Sequence, residues 1–162
     1  GVMVFSKKQA VTSKLSQAIQ ERNFTKEYMA VVHNKPEEAT GIYKDLLFKD
    51  SSKNKSFVVK RVRKGVKEAS LEYTVLDSIH GEKSELTLVR IKLHTGRTHQ
   101  IRVQFSSRKM PLLGDGKYGS KDNRCEIALW SYRLAFRHPM LNKEIDFKKM
   151  PPSIYPWNLF EK

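Results

Sequence analysis

Two neighbouring segments in the middle of the sequence alternate apolar and polar residues, and this alternation constrains the fold more than any other feature. Ala69 to Ile79 and Ser84 to His94 both place apolar side chains at alternating positions, as a strand with one buried face does. The residues between them, His80 to Lys83, include a glycine and suit a tight turn. The pattern predicts an antiparallel β-hairpin, and therefore a sheet.

Helical spacing and capping residues predict two helices. The first is expected to begin at Ser6, whose spacing from Gln9 matches a capping box, and to end near Asn23. The second is expected over Thr98 to Lys109, with Thr98 as the N-cap. Both helices need an apolar surface to pack on, and the sheet supplies it.

Short runs of apolar and β-branched residues predict further strands, the first of them buried. These strands are expected at residues 2–5, 26–33, 42–48, 126–136 and 143–147. The length of 162 residues fits one domain over residues 1–162. The predicted fold class is α+β, with a mixed, mostly antiparallel sheet and two main helices.

The chain is strongly basic, with 31 Lys and Arg against 17 Asp and Glu and a net charge of +14. This charge favours a polyanionic partner, with nucleic acid first and an acidic membrane surface second. The segment Lys53 to Lys67 contains several cations and no acid. Two interpretations stay open for it: a solvated strand and loop, or a surface that faces RNA or DNA. No apolar run is long enough to span a bilayer.

Cysteine and histidine usage argues against a metal or disulfide framework. Cys125 is the single cysteine, so neither an internal disulfide nor a Cys-rich zinc site can form. The five histidines do not fall at the spacing of a metal-binding motif. We expect no metal site and a cytoplasmic protein.

The densest polar cluster lies where a strand turns into a helix. Arg97 and His99 stand near the expected helix start, where backbone N–H groups favour anions. Arg102 follows His99 by three residues and shares its helix face. An anion-binding site and an ordinary capped turn both remain open. Tyr28, in the strand at 26–33, is either a half-buried strand tyrosine or an aromatic platform for a nucleobase.

Three segments carry a resemblance to a known family. Leu93 to Gln104, followed by Pro111 to Asp115, resembles a signature motif of RluA-like RNA pseudouridine synthases. Glu21 to Val32 is similar to the family's arginine-then-lysine-x-tyrosine stretch, and Arg133 to Pro139 resembles its late strand with a His-Pro end. The resemblance covers nearly the whole chain. It departs at Leu129 to Ser131, where the family often has Leu-His-Ala.

The resemblance implies a reaction and residues for it. Such enzymes break the N1–C1′ bond of a uridine in ribosomal or transfer RNA, turn the base and rejoin it through C5, without metal or cofactor. The target base is flipped out of the RNA stack. Tyr28 matches the tyrosine that packs on the base and is proposed to assist proton transfer at C5. Arg102 matches the arginine that pairs with the catalytic aspartate. The matched positions expected to contact RNA are Arg22, Lys26, Arg97, Thr98 and His99.

The family's catalytic aspartate, in an Arg-Leu-Asp motif, falls upstream of Gly1 in this match. We therefore expect an incomplete catalytic domain that is inactive as written, with Arg102 lacking its carboxylate partner and Asp115 a loop residue. One alternative is a non-catalytic RNA-binding module with the same fold. Another is a basic ribosome-associated protein without a cleft, in which Tyr28 and Arg102 would lie far apart. We expect a monomer that does not bind membranes.

Overall fold

The computed structural model describes residues 1–21, 23–81 and 83–161. Within these ranges the chain forms two α-helices, seven strands and two short 3-10 turns. In chain order these are α1 (Gln9–Gln20), β1 (Phe24–His33), β2 (Thr40–Asp50), β3 (Lys55–Val59), β4 (Val66–His80), β5 (Glu85–Leu93), α2 (Gln100–Ser106), the turn Gly116–Tyr118, β6 (Leu129–Arg137), β7 (Glu144–Lys148) and the turn Trp157–Phe160.

The strands form one sheet in the order β3-β2-β4-β5-β1-β6-β7, and the neighbouring strands pair antiparallel. The expected α+β class, with a mostly antiparallel sheet and two helices, is confirmed. The expected hairpin is formed by β4 and β5, where Tyr73 lies opposite Ile91 and Val75 opposite Val89. Opposite residues share a face, so the apolar positions of both strands point into the same core.

Helix α2 packs on one face of this sheet, which we call the helix face. Ile101 and Phe105 of α2 are buried against Ala30 and Val32 of β1 and Ile91 of β5. Burying a large apolar side chain of this kind stabilises a fold by roughly 1.5–3 kcal/mol. The core therefore fixes α2, and with it the turn that precedes α2, over β1 and β5.

The C-terminal tail covers part of the opposite face. Val31 of β1, Leu86 of β5 and Leu113 form a buried cluster there. Trp157 and Phe160 of the last 3-10 turn pack against it. Because both faces of β1 are covered in its second half, the four consecutive residues Met29 to Val32 are all buried.

The strand expected at residues 2–5 is absent. Phe5 is 81% exposed, and the segment joins the sheet only at Val2, whose N–H donates to the Ser131 carbonyl at 2.8 Å. Strand β7 pairs with β6 only as far as Arg133, so Val2 occupies the edge position left beside Ser131. The apolar run was too short to specify more than this one contact.

Both helices start later than expected. Lys8, with an extended backbone, is the N-cap of α1 and makes no side-chain cap bond, while the Ser6 hydroxyl contacts that of Thr12. Helix α2 is capped by His99 rather than Thr98, because the left-handed backbone of His99, φ 52°, cannot continue a helix.

Strand β3 lies within Lys53 to Lys67, the basic segment for which a solvated strand and loop was one of the two open interpretations. It pairs with β2, placing Phe57 opposite Phe48, and it forms one edge of the sheet. The ladder hydrogen bonds of β3 come from β2, so the local sequence alone does not give the bounds of this strand.

Candidate active site

Tyr28 lies half-buried in the middle of β1, between two strands. Its backbone pairs with Ile91 of β5 on one side and with Ser131 of β6 on the other. Burial raises the pKa of the Tyr28 phenol, and a hydrogen bond with the Ser131 side chain lowers it in part. The phenol is therefore protonated at neutral pH. The predicted strand position of Tyr28 is confirmed.

Lys26 stands two residues before Tyr28 and therefore points to the same face of β1. Its ammonium reaches the turn after β5, since a Cβ added to Gly96 would lie 2.7 Å from Lys26 Nζ. Burial lowers the pKa of Lys26. Across residues 1–21, 23–81 and 83–161, no carboxylate lies within ion-pair distance of this ammonium. An anionic ligand at this position would gain a partly desolvated positive charge.

The turn from Thr95 to Arg97 is held by the buried amide of Gln100. The Gln100 side-chain oxygen accepts from the Thr95 hydroxyl at 2.7 Å and from the Arg97 N–H at 3.0 Å. Arg97 Nε donates to the Glu68 carbonyl at 2.8 Å, which directs the guanidinium along β4. The turn is thus rigid before any ligand binds, and Gly96 leaves room in it for Lys26.

His99 contacts Tyr118 rather than projecting freely from the helix start. His99 Nδ1 lies 2.9 Å from the Tyr118 hydroxyl. Burial lowers the pKa of His99, and the neighbouring Arg102 guanidinium lowers it further. A neutral His99 at pH 7 offers a hydrogen bond to a ligand but not the positive charge that an imidazolium would bring.

Arg102 has a carboxylate partner, and the expectation that it lacks one is wrong. Its Nε donates to Asp115 Oδ2 at 2.6 Å and its Nη2 to Asp115 Oδ1 at 2.8 Å. Its guanidinium also lies over the Tyr118 ring, 4.8 Å from the centroid. Asp115 is 1% exposed, so its carboxylate depends on this paired arginine. Through this ion pair, Arg102 holds the loop that contains Asp115 against α2.

The backbone of residues 111–115 explains why Asp115 is buried. Leu112 bridges to Val32, and the Leu113 N–H donates to the Val31 carbonyl at 2.9 Å, so the segment runs along the end of β1. Gly114 then turns the chain with φ 79°. The two leucines before Gly114, both fully buried, were the available signal that this segment is not a surface loop.

The matched positions fall into two groups on the helix face. Lys26, on the same face of β1 as Tyr28, reaches the turn that carries Arg97, whereas His99 and Arg102 both contact Tyr118. Tyr28 packs against the same core as the inner side of α2, but the Arg102 guanidinium points to the Asp115 loop.

Thr98 and Arg22 are the two remaining matched positions. The Thr98 carbonyl accepts the Ser56 hydroxyl at 2.7 Å, and Arg22 lies outside the described residues. The aspartates at 45, 122 and 146 are each bound by an arginine.

The described part of the chain holds no group of three or more histidine, cysteine or acidic side chains that could bind a metal ion. None of its described helices combines the length and apolar character that a membrane span requires.

The fold itself belongs to a known class. The solved structure of human RNA Pseudouridylate Synthase Domain Containing 1 superimposes with a TM-score of 0.74 at 22% identity, over 91% of this chain and 63% of that one. Human RNA Pseudouridylate Synthase Domain Containing 4 gives the same TM-score and identity over 94% and 67%. The fold is thus that of a pseudouridylate synthase domain.

Sequence comparison then gives the family. A family model described as RNA pseudouridylate synthase matches residues 1–107, so the chain belongs to that family. An Uncharacterized RNA pseudouridine synthase of Aquifex aeolicus (strain VF5) is 36% identical, over 97% of this chain and 52% of that protein. Ribosomal large subunit pseudouridine synthase C of Buchnera aphidicola subsp. Baizongia pistaciae (strain Bp) is 34% identical, over 90% and 47%. The chain spans about half the length of the curated relatives it matches. The resemblance to RluA-like synthases is confirmed.

Proposed function

We propose that the protein carrying this chain is an RNA pseudouridine synthase, an isomerase that converts a specific uridine in RNA to pseudouridine. One observation carries the proposal: in a chain of this family, Tyr28 and Lys26 lie on one face of β1. The Lys26 ammonium also reaches a turn that hydrogen bonds hold in place. A flat aromatic side chain next to an unneutralised ammonium suits an extruded nucleotide, which brings a base and a phosphate together.

Each residue receives a role from its surroundings. Tyr28 packs on the flipped base and assists the proton transfer at C5, and burial keeps its phenol protonated at neutral pH before the reaction. Lys26 supplies positive charge to a phosphate or to the attacking carboxylate. Arg97, Thr98 and His99 contact the RNA backbone, and Arg22 is proposed for the same role. Arg102 acts indirectly, by fixing α2 against the Asp115 loop.

The catalytic carboxylate is proposed to come from a segment that precedes Gly1 in the full polypeptide. Support comes from the family match and from the hydrogen bonds that join Val2 to Ser131, the residue opposite Tyr28. A segment leading into Val2 would arrive at β6, the strand next to the one that carries Tyr28. The chain as given is accordingly proposed to be inactive.

The substrate is proposed to be ribosomal RNA, with transfer RNA as the alternative. Relatives named as ribosomal large subunit pseudouridine synthases support the first choice. The net charge of +14 supports an RNA partner of either kind. A monomer working in the cytoplasm, without metal or cofactor, completes the proposal.

A pseudouridine assay on bulk cellular RNA tests the proposal with two proteins. One is this chain, and the other extends upstream through the Arg-Leu-Asp motif. We expect pseudouridine to form only with the extended protein. The extended protein with the motif aspartate changed to asparagine is the matched control and should be inactive. If the extended protein binds RNA but forms no pseudouridine, the chain is a binding module. Activity of the short chain would show that the carboxylate has been placed wrongly.

A further inference from the structure

Tyr118 is a buried tyrosine whose hydroxyl joins separate parts of the chain. The residue is 5% exposed and packs with Leu47, Ala69 and Val103. Its hydroxyl accepts the Ser56 N–H of β3 at 2.9 Å and lies 2.9 Å from His99 Nδ1. The Ser56 hydroxyl donates to the Thr98 carbonyl at 2.7 Å, which connects β3 a second time to the residues before α2.

The hydrogen bonds of the Tyr118 hydroxyl determine where His99 carries its proton. A buried hydroxyl needs an acceptor for its one proton, and the Ser56 N–H is itself a donor. His99 Nδ1 is therefore the acceptor, and a neutral His99 then carries its proton on Nε2. Burial lowers the pKa of His99, and the charges of Arg102 and Lys117 lower it further, so the ring is neutral at neutral pH.

The Nε2–H group of His99 is left as a donor at the surface. Among residues 1–21, 23–81 and 83–161, Nε2 has no hydrogen-bond partner, and it is not one of the unpaired polar atoms that are buried. The His99 and Tyr118 rings meet edge-on, at 88° with 5.6 Å between their centroids. The imidazole is thus oriented before any ligand binds.

Two ammonium groups lie around the same tyrosine. Lys55 Nζ is 5.1 Å from the centroid of the Tyr118 ring. Lys117 is the neighbour of Tyr118 in the chain, and its Nζ donates to a carbonyl of the β2–β3 hairpin at 3.1 Å. Within the described part of the chain, no carboxylate forms an ion pair with either lysine, and the buried Asp115 is neutralised by its own ion pair. These surroundings favour an anion.

We propose that His99 Nε2–H, Lys55 and Lys117 form a subsite for one phosphate of the RNA backbone, in which Tyr118 positions His99. A phosphate oxygen accepts from an N–H group and is attracted by ammonium groups. A nucleobase would need an open aromatic face, and the Tyr118 ring is buried. The subsite rests on the proposed function for RNA as the source of the phosphate.

Histidine ring ¹⁵N NMR on the full polypeptide that carries this chain tests the tautomer without any activity. At about pH 8, where the ring is neutral, we expect His99 to carry its proton on Nε2. The His99→Asn variant identifies the signal by its loss. Tyr118→Phe keeps the aromatic ring and removes the hydroxyl, so the share of the Nδ1–H tautomer should rise. A proton on Nδ1 in the unmodified protein, or no change in Tyr118→Phe, would overturn the proposal.

Anisotropy of a fluorescein-labelled RNA oligonucleotide of mixed sequence tests binding to the same polypeptide. His99→Asn keeps an acceptor for Tyr118 and removes the outer donor, so we expect about tenfold weaker binding. Tyr118→Phe frees the imidazole, and ordering it again on binding should weaken affinity about two- to tenfold. Because Tyr118 acts through His99, the double variant should bind no more weakly than His99→Asn. Additive losses would indicate that Tyr118 has a packing role alone.

Single lysine variants test the charge of the subsite. Lys55→Gln and Lys117→Gln should each lower the slope of log K against log salt by about 0.7. Lys148→Gln, in the edge strand β7, is the matched control and should leave the slope unchanged. Equal slopes in all three variants would contradict a phosphate contact at this position.

The source of the phosphate is tested with inorganic phosphate as a second probe. We expect RNA to shift the His99 Nε2–H signal more than inorganic phosphate does at the same ionic strength. A shift by inorganic phosphate alone, or no binding of RNA, would overturn the subsite. If the effects on RNA binding appear and the full polypeptide forms no pseudouridine, the synthase proposal fails and the subsite stands.

Discussion

The ion pair with Asp115 gives Arg102 a structural role in the loop beside α2, instead of a role as partner of a catalytic aspartate. Asp115→Ala would leave the Arg102 guanidinium, 15% exposed, without a counter-charge in a mostly buried position. Removing one partner of a buried ion pair costs about 3–5 kcal/mol of the free energy of unfolding. We expect that loss in urea denaturation. The matched control is Asp146→Ala, which removes an exposed partner of Arg133 and should cost much less. Equal losses in the two variants would show that the Asp115 pair is not buried in solution.

His99 gives the stability of the fold a pH dependence. Burial and the nearby Arg102 lower the pKa of His99, so the folded protein binds its proton less readily than the unfolded chain. Between the ordinary pKa of about 6.5 and the lower folded value, the unfolded chain binds more protons, and stability rises with pH. His99→Asn keeps a residue that tolerates the left-handed backbone and removes the titration. We expect the urea midpoint of this variant to change less between about pH 5 and pH 7. A slope equal to that of the unmodified protein would contradict this.

At the scale of an element, the loop at 111–119 depends on one glycine. Gly114 has φ 79°, and a Cβ there would lie 2.4 Å from the Glu126 carbonyl oxygen. Gly114→Ala should therefore cost about 3 kcal/mol, the sum of left-handed strain and a backbone clash. Gly116→Ala is the control, because a Cβ at Gly116 meets nothing within 4 Å. Thermal unfolding should show a lower Tm for the first variant only, and similar Tm values would mean that the loop rearranges freely.

The sequence predicted those elements whose own composition or alternation is typical of strands. The β4–β5 hairpin and β1 follow from alternation and β-branched residues, and the structure confirms them. Features set by long-range partners were missed. Residues 2–5 form no strand because they contact the sheet at Val2 alone, and β3 is defined by its pairing with β2. Asp115 is buried because it forms an ion pair with Arg102.

The site was predictable only through resemblance. The spacing of Tyr28 and Arg102 in the chain says nothing of their distance in space, and only the family motif predicted that they converge on one cleft. The Ser131 contact was missed because the pairing of β6 with β1 and Val2 is a property of the whole sheet.

Across the whole molecule, the positive charge is spread over both ends of the sheet, and each end carries a run without acids, residues 1–20 at one and residues 51–67 at the other. The loop between β3 and β4 contains Lys60, Arg61, Arg63 and Lys64, all exposed, and the Arg63 guanidinium lies over the Phe48 ring at 4.7 Å. At the other end, α1 and the neighbourhood of β7 also carry exposed lysines. Net charge alone therefore does not say which end binds RNA.

A charge-matched pair of variants decides between the two ends. One variant changes the four cations of the β3–β4 loop to glutamine, and the other does so at four exposed lysines of the opposite end, namely Lys7, Lys8, Lys14 and Lys143. Each cation that neutralises a phosphate contributes about 0.7 to the dependence of log K on log salt for single-stranded nucleic acid. We expect the loop variant to lower that slope by about 3, and the opposite variant to leave it nearly unchanged. Fluorescence anisotropy with a labelled RNA over a series of salt concentrations measures both. Equal changes would mean that RNA responds to net charge and not to a surface at the β3 end, and the interpretation of residues 53–67 as a solvated strand and loop would then be the correct one.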